Sequence, residues 1–291
     1  MTDSRAAKDG VGRLYLVSTP IGNLEDITLR ALRVLREADI VACEDTRQTQ
    51  KLLNHFEIEK RMVSYHEHNE ITRGAELVIE MEGGASVALA SDAGTPVLSD
   101  PGHHLVTLCL RHQIPVIPIP GPSAALAALA ASGLPIEEFA FVGFLPARAR
   151  DRRKKLEGLR DERRTLIFYE APHRIAEMLR DAAEILGARS AVVAREITKI
   201  DEEFLRGTLP ELAAQAANHS PRGEITVLVG PATPETIADP DAALAAVLSL
   251  SARVAQLERD EGLDHKAALK QAARERGLNK REAYKRLLLE R

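Results

Sequence analysis

The sequence predicts an α/β protein of two α/β domains followed by a small C-terminal helical module. In residues 13–133, short apolar runs alternate with segments of helical periodicity, a pattern typical of a mostly parallel sheet. A second alternation occupies residues 134–231. Beyond a Pro-rich linker at 232–240, residues 241–291 contain only helix-forming stretches. A length of 291 residues also suits about two domains.

Four apolar runs are the predicted strands of the first domain. They are Arg13–Ser18, Asp39–Cys43, Ser86–Ala90 and Ile114–Ile119. A helix is predicted from Asp26 to Glu37, with Asp26 as its N-cap. Its predicted apolar face consists of Leu29, Leu32, Val34 and Leu35.

The second domain has five predicted strands and three predicted helices. The strands are Glu138–Phe144, Arg164–Tyr169, Ala191–Glu196, Glu203–Gly207 and Glu224–Val229. The helices lie near Arg150–Arg160, Pro172–Leu186 and Pro210–Asn218. Because the segment after Arg195 is too short for a crossover helix, we expect a mixed sheet.

The two ends of the chain differ from the domains. Residues 1–12 are polar and are expected to form a disordered lead. Helices are predicted at Asp241–Leu257, Asp264–Arg276 and Lys280–Leu289, and the last two are separated by a three-residue turn. This arrangement resembles a helix-turn-helix, but two packed helices without a nucleic-acid function fit the pattern equally well.

The composition favours a soluble cytoplasmic protein. Cys43 and Cys109 form no CxxC pair, which fits a reducing compartment. The N-terminus lacks the apolar segment of a signal peptide, and no apolar run reaches the roughly 18 residues that span a bilayer.

One loop is especially informative, the stretch Ser91-Asp-Ala-Gly-Thr-Pro-Val-Leu-Ser-Asp-Pro-Gly102 after the third strand. Its glycines and prolines allow a rigid backbone that approaches a ligand closely, and its carboxylates supply acceptors. Neither G-x-x-x-x-G-K-[ST] nor G-x-G-x-x-G occurs in the chain, so ATP and NAD are disfavoured. A ligand with hydroxyl, ammonium or sulfonium groups suits the loop better, although a single Asp there is as easily a helix cap.

Comparable loops follow the other predicted strands of the first domain. They are Ser18–Asn23, Cys43–Arg47 and Pro120–Ala124. Parallel strands end at one edge of a sheet, so these loops are expected to meet there. The second domain adds Tyr169–Arg174, Arg195–Lys199 and Pro221–Thr226, which predicts a cleft between the two domains as the site.

These loops carry a resemblance to a known family. Ser18-Thr-Pro-Ile-Gly-Asn-Leu-Glu-Asp26, Cys43-Glu-Asp-Thr-Arg47, the Ser91–Gly102 loop, Ile119-Pro-Gly-Pro-Ser-Ala124 and Tyr169-Glu-Ala-Pro-His-Arg174 closely resemble the tetrapyrrole methylase superfamily, in its branch that methylates ribosomal RNA. The resemblance runs from about Arg13 to Pro231. It implies a homodimer of two-domain chains that methylates the 2′-hydroxyl of a cytidine in the decoding region of 16S ribosomal RNA.

The resemblance also implies S-adenosylmethionine as the cofactor, bound in the cleft between the domains. The implied cofactor residues of the first domain are Pro20, Asp92, Gly94, Pro96, Val97 and Ser123. Those of the second domain are Ala171, Arg195, Gly223, Glu224 and Ile225.

Transfer of a methyl group to a sugar hydroxyl requires a group that takes the hydroxyl proton. A carboxylate or a neutral imidazole serves this purpose. The candidates are Asp100, Glu44, Asp45, Glu170 and His173, of which Asp100 and Glu44 are the preferred hypotheses because of their loops. Each has an alternative role as a cap or an ion-pair partner.

Two basic islands indicate a polyanionic partner such as RNA. Residues 148–164 and residues 263–291 each hold nine Lys or Arg against four Asp or Glu, although the whole chain has a net charge of −4. A single island is more often a solvated face, but two together favour nucleic acid. The predicted RNA-binding residues are Arg47, Arg152, Arg153, Lys154, Lys155, Arg174 and Lys199.

Other signals are weak. His66-Glu-His68 and the pair His103-His104 lack a third ligand at ordinary spacing, so we predict no metal. Cys43 lies beside Glu44, whose charge is expected to raise the thiol pKa and to disfavour a nucleophilic role. Two other functions remain open: a methylase of a small tetrapyrrole, and a noncatalytic ribosome-assembly factor.

Overall fold

The computed structural model describes residues 10–218, 223–233, 250–260, 263–275 and residue 283. Within this range the chain divides into two compact units. The first comprises the residues up to Ala131 together with Glu196–Glu203, and the second comprises Ser132–Arg195 and the residues from Phe204 onward. Within the first unit, Thr198 of the Glu196–Glu203 segment donates its hydroxyl to Asp26 Oδ2 at 2.5 Å.

The first unit is built on a five-stranded sheet in the order β3-β2-β4-β1-β5. All of its paired strands run parallel. The strands are β1 (Arg13–Val17), β2 (Ile40–Cys43), β3 (Arg61–Ser64), β4 (Ser86–Ala90) and β5 (Val116–Ile119). The helices are α1 (Leu29–Glu37), α2 (Thr46–His55), α3 (Glu70–Glu82), α4 (His103–Arg111) and α5 (Ala124–Ser132).

Alternating side chains of this sheet enter two separate cores. Leu14, Val87 and Leu89 belong to one cluster, and Val17 and Ala88 belong to the other. A parallel sheet with both faces covered reads as continuous apolar runs, which explains why four of these strands were predictable. The edge strand β3 was not predicted, because it has no fully buried residue and contains only two apolar residues.

The start of α1 corrects one prediction. Thr28 is the N-cap, and its hydroxyl accepts a hydrogen bond from the Ala31 N–H at 3.1 Å. Asp26 instead ends a short 3₁₀ turn. Leu29 is 85% exposed, so the buried face begins at Ala31.

The second unit contains a mixed five-stranded sheet in the order β6-β7-β10-β8-β9. Its β6 and β7 are parallel, whereas β10 is antiparallel to both β7 and β8, so the prediction of a mixed sheet is confirmed. The strands are β6 (Phe139–Phe144), β7 (Thr165–Glu170), β8 (Ser190–Arg195), β9 (Glu203–Thr208) and β10 (Ile225–Val229). The helices α6 (Ala149–Glu157), α7 (Ile175–Leu186) and α8 (Leu209–Asn218) pack on this sheet, and one apolar core joins sheet and helices.

Two further helices are described near the C-terminus, α9 (Leu250–Asp260) and α10 (His265–Glu275). They pack through Leu250, Val254 and Leu257 with the alanine-rich side of α10. The Asp264 carboxylate caps α10 by accepting from the Ala267 N–H at 2.7 Å. Residues 1–9, 234–249 and most of the predicted Lys280–Leu289 helix with its turn lie outside the described residues, so the lead, the linker and the helix-turn-helix stay predictions. No helix in the described ranges is long and apolar enough to cross a membrane.

Candidate active site

The loops that follow β1 and β4 are fastened to each other at the carboxyl edge of the first sheet. Thr19 and Gly94 form an antiparallel bridge, with N–H···O distances of 2.9 and 3.1 Å. The Thr19 hydroxyl also donates to the Ser91 carbonyl at 3.0 Å. The predicted convergence of these two loops is therefore confirmed, and Pro20 is buried immediately after the bridge.

Thr95 extends this network to the loop after β5. Its hydroxyl accepts from Ser18 Oγ at 3.3 Å and donates to the Pro122 carbonyl at 3.2 Å. One side chain thus connects three loops, and Ser123 follows directly in the third. Because neighbouring parallel strands hold the loop bases, these bonds only have to fix the loop tips.

The Ser91–Gly102 loop has an unusual backbone. Val97 has φ +78° and Ser99 has φ +66°, a region that residues with a Cβ rarely adopt and that costs roughly 1–3 kcal/mol at each position. At Gly102, with φ +135°, an added Cβ would lie 2.7 Å from Leu89 Cδ2, so this position requires glycine. Strain of this kind persists where a site needs a particular loop shape.

Three carboxylates interact at this edge of the sheet. Burial, then the charges of Glu44 and Asp92, raises the pKa of Asp100 to about 7. Burial, then the charges of Asp92 and Glu67, also raises the pKa of Glu44, although His66 opposes this. Asp92 in turn accepts the Asp45 N–H at 3.1 Å, which joins the loops after β2 and β4. A carboxyl group with a pKa near neutrality is well suited to accept a proton.

The remaining first-unit candidates are less suited to proton transfer or to RNA binding. Hydrogen bonds from the side chain and the backbone of Arg47 lower the pKa of Asp45 to about 2, and Asp45 also caps α2. Arg47 is exposed but bonded to that carboxylate at 2.8 Å. Lys199 binds Glu196 at 3.0 Å, and its aliphatic stem lies against Gly22.

The predicted cofactor residues of the second unit meet at one end of its sheet. Ile225, the first residue of β10, is paired with Glu170 at the end of β7 and with Arg195 at the end of β8. Ala171 follows Glu170, and Gly223 and Glu224 precede Ile225. The antiparallel direction of β10 therefore brings together the sequence-distant loops of this unit.

Glu170 and Arg174 form an internal pair instead of a reactive one. The buried Glu170 Oε1 accepts from the Ala171 N–H and from Arg174 Nε, both at 2.8 Å. Arg174 Nη2 also donates to the Leu145 carbonyl at 3.0 Å. These bonds argue against Glu170 as a base and against Arg174 as an RNA anchor, and His173 is exposed beside them.

The first basic island divides into a buried and an exposed part. Arg152 is only 1% exposed and donates to Asp181 at 2.7 Å and to Glu177 at 3.2 Å, so we correct its assignment from RNA binding to internal packing. Arg153 donates to Asp181 at 2.9 Å and to Glu184 at 2.6 Å. Lys154 and Lys155 are exposed at the end of α6. Leu156, four residues after Arg152, marks the buried helix face that the charge count concealed.

The surroundings of the two cysteines disfavour a reactive thiolate. Cys43 is buried, and the burial raises its pKa, with Asp92 and Asp45 adding to the effect where the sequence had suggested Glu44. Burial likewise raises the pKa of Cys109 to about 12. In the described ranges, no group of three or more His, Cys, Asp or Glu has an arrangement that holds a metal ion.

The fold and these loops match a known family. The profile of the tetrapyrrole (corrin/porphyrin) methylases matches residues 13–213. The chain therefore belongs to the tetrapyrrole methylase family. Three relatives are similar to this chain beyond the matched segment, and each carries the name ribosomal RNA small subunit methyltransferase I.

These three relatives are similar along almost their whole length. The one from Halalkalibacterium halodurans is 48% identical, with 95% of each chain covered. The one from Mesorhizobium japonicum is 50% identical, with 94% of this chain and 91% of the relative covered. The one from Bacillus subtilis is 44% identical, with 95% and 94% covered.

Solved structures support the fold. A cobalt precorrin-4 methyltransferase of cobalamin biosynthesis superimposes with a TM-score of 0.57 at 18% identity, covering 75% of this chain and 94% of that structure. Uroporphyrin-III C-methyltransferase from Thermus thermophilus, in complex with S-adenosylhomocysteine, gives a TM-score of 0.53 at 22% identity, with 75% and 97% covered.

Proposed function

We propose that this chain transfers a methyl group from S-adenosylmethionine to the 2′-hydroxyl of a cytidine in the decoding region of 16S ribosomal RNA. The observation that carries the proposal is the similarity, along nearly the whole chain, to relatives named ribosomal RNA small subunit methyltransferase I, with 48% identity over 95% of both chains in one case. The carboxylate with a pKa of about 7 supplies the matching chemistry.

The chemistry of the first-unit loops fits a sulfonium cofactor. They present hydroxyls, carboxylates and backbone carbonyls, which are acceptors for ammonium and hydroxyl groups, on a backbone fixed by the Thr19–Gly94 bridge and by Thr95. We assign cofactor binding to Pro20, Asp92, Gly94, Pro96, Val97 and Ser123 in the first unit and to Ala171, Arg195, Gly223, Glu224 and Ile225 in the second. Bound S-adenosylmethionine would supply an electrophilic methyl group.

Asp100 is the proposed proton acceptor. In its carboxylate form, it takes the proton of the 2′-hydroxyl as the ribose oxygen bonds to the methyl carbon and the carbon–sulfur bond breaks. Burial, together with the charges of Glu44 and Asp92, raises the pKa of Asp100 to about 7, so that it is a stronger base than an ordinary aspartate. Glu44 is the second candidate, because its own pKa is also raised.

We also propose which residues bind the RNA and which oligomeric state the protein has. Lys154 and Lys155 are the RNA-binding residues that the geometry supports best, because both are exposed and neither has a salt bridge within the described ranges. We propose a cytoplasmic homodimer that acts on 16S ribosomal RNA or on the small subunit that contains it.

The test is methyl transfer from labelled S-adenosylmethionine to small ribosomal subunits from cells that lack this gene, followed by nuclease mapping. We expect a single 2′-O-methylcytidine in the decoding region. Asp100→Asn should abolish turnover and keep cofactor affinity, whereas Asp201→Asn, at an exposed loop position, should leave both unchanged. Absence of label on the RNA with cofactor binding intact, or methylation of a small tetrapyrrole, would contradict the proposal.

A further inference from the structure

Three aromatic rings gather on the edge of the second sheet. The chain has only four Tyr, six Phe and no Trp. Nevertheless, Phe141 and Phe144 of β6 both contact the ring of Tyr169 on β7, at centroid distances of 5.1 and 5.7 Å. We call these three residues the aromatic cluster.

A β-bulge places both phenylalanines on the same side of the strand. Residues three apart in a regular strand point to opposite faces. Here the register shifts between Phe141 and Gly143, so that Phe141 pairs with Ile167 and Phe144 pairs with Tyr169. Gly143, with φ +71°, accommodates the extra residue. Bulges commonly redirect a side chain in this way.

The redirected Phe144 ring is left in solvent. Its neighbours Val142 and Leu145 pack on the apolar core of the unit, whereas Phe144 stays 55% exposed. An exposed phenylalanine in contact with a second ring offers a flat apolar face that the fold itself does not use.

One side chain contacts the residues that follow Phe144 and Tyr169 in the sequence. Arg174 donates to the carbonyl of Leu145, the residue after Phe144, at 3.0 Å. It also donates to the carboxylate of Glu170, the residue after Tyr169, at 2.8 Å. The rings therefore stand on a rigid base, which reduces the entropy lost when a ligand binds.

Basic side chains lie near the aromatic cluster in the sequence. Arg148 and Arg150 are exposed at the start of α6, and Arg148 is four residues from Phe144, a reach of at most roughly 14 Å. Lys154 and Lys155 are exposed at the other end of this helix. Aromatic faces beside cations are typical of proteins that bind unpaired RNA, where bases stack on rings and phosphates contact Arg or Lys.

We propose that Phe144, supported by Tyr169 and Phe141, stacks on an unpaired base of the RNA substrate, while Arg148 and Arg150 bind its phosphates. The inference rests on the proposed function for the nature of the substrate. The charge favours RNA over an apolar partner, because a second copy of this surface would place like charges together. Arg174 becomes a positioning residue instead of a phosphate anchor.

The absence of tryptophan from the chain makes a direct test possible. Phe144→Trp creates a protein with a single tryptophan on the cluster, and Phe139→Trp puts the same probe at the other end of β6, where the native ring is 41% exposed. We expect 16S ribosomal RNA to quench the fluorescence of F144W and to leave that of F139W unchanged. Quenching of F144W by S-adenosylhomocysteine alone would assign the ring to the cofactor and overturn the proposal.

Affinity measurements complete the test. Phe144→Ala should weaken RNA binding by roughly 5- to 150-fold, the effect of one lost base–aromatic stack, and Phe144→Tyr should restore it. Phe139→Ala is the matched control and should bind RNA as the native protein does. Equal losses in both alanine variants, or a fluorescence change of F144W that depends only on protein concentration, would overturn the inference.

These results separate the inference from the proposed function. If F144W reports stacking and no methyl group reaches the RNA, the proposed function fails and the stacking surface stands. If Phe144→Ala methylates ribosomal RNA with unchanged KM and kcat, the stacking surface fails and the proposed function stands.

Discussion

Replacement of Asp100 by asparagine should stabilise the protein at alkaline pH and inactivate it at the same time. The native carboxyl group is partly buried beside the charges of Glu44 and Asp92, and its pKa is about 7. In the unfolded chain it returns to about 4. Ionisation at pH 8 therefore works against the folded state, and the neutral amide avoids this effect.

The size of the effect follows from the two pKa values. A change from 3.8 to about 7 corresponds to about 4 kcal/mol in the free energy of unfolding. Solvent reaches part of the side chain and screens the neighbouring charges, so we expect about 2 kcal/mol. The stabilising contribution of protonated Asp100 is fully present below about pH 4 and is lost as the pH rises through 7.

The assay is urea unfolding of the native protein and the Asp100→Asn variant between pH 4 and pH 9. The stability difference in favour of the variant should grow between pH 4 and 7 and become constant above about pH 8. Asp45→Asn is the contrasting control, because the pKa of Asp45 is lowered to about 2. Its ionisation stabilises the native state above about pH 4, and this stabilisation is lost as the pH falls toward 2.

A second substitution tests the stated cause. Glu44→Gln removes the largest charge effect on Asp100, so Asp100→Asn should stabilise the Glu44→Gln protein less than the native one. A stability difference between Asp100→Asn and native protein that stays constant from pH 4 to pH 9 would refute the reasoning about the carboxylate cluster.

Three further predictions concern the charged helix α6 and the loop network. Reversing the charge of Lys154 and Lys155 to Glu should weaken RNA binding and its salt dependence in filter-binding measurements, while cofactor binding stays unchanged. Arg152→Met should lower the free energy of unfolding by about 2 kcal/mol, because the buried Asp181 loses one of its two arginine partners, whereas the exposed control Arg150→Met should change it by less than about 0.5 kcal/mol. Thr95→Val removes two hydrogen bonds, so calorimetry should show weaker cofactor binding and unfolding should show a loss of about 1–2 kcal/mol.

The sequence predicted the fold where strands are buried on both faces. The runs that became β1, β2 and β4 are continuous apolar stretches, and such stretches carry a strong signal. The edge strand β3 lacks that signal, because only Met62 and Val63 of its four residues are apolar and neither is fully buried. Thr28 was overlooked as an N-cap because Asp26 is an equally good capping residue, and only the backbone path distinguishes them.

The site was predictable as a set of loops but not as a set of contacts. Parallel topology explains why the loops after β1, β4 and β5 meet. It does not show that Thr95 connects them, since hydroxyl bonds depend on the loop conformation. Arg152 was wrongly predicted to bind RNA for a similar reason. The prediction used only the number of charged residues in the segment, and that number does not show that Asp181 neutralises Arg152 in the core.

The two units treat their buried charges in opposite ways, and this difference indicates where function constrains the chain. In the second unit, the buried charges of Arg152 and Asp181 are opposite and neutralise each other at 2.7 Å. In the first unit, Asp100 lies among other carboxylates, on a loop whose Val97 and Ser99 have strained backbones. Each of these features opposes folding, and a loop selected only for stability would have a neutral residue and relaxed conformations. Their combination in one twelve-residue loop is therefore the physical reason to place the chemistry of the protein there.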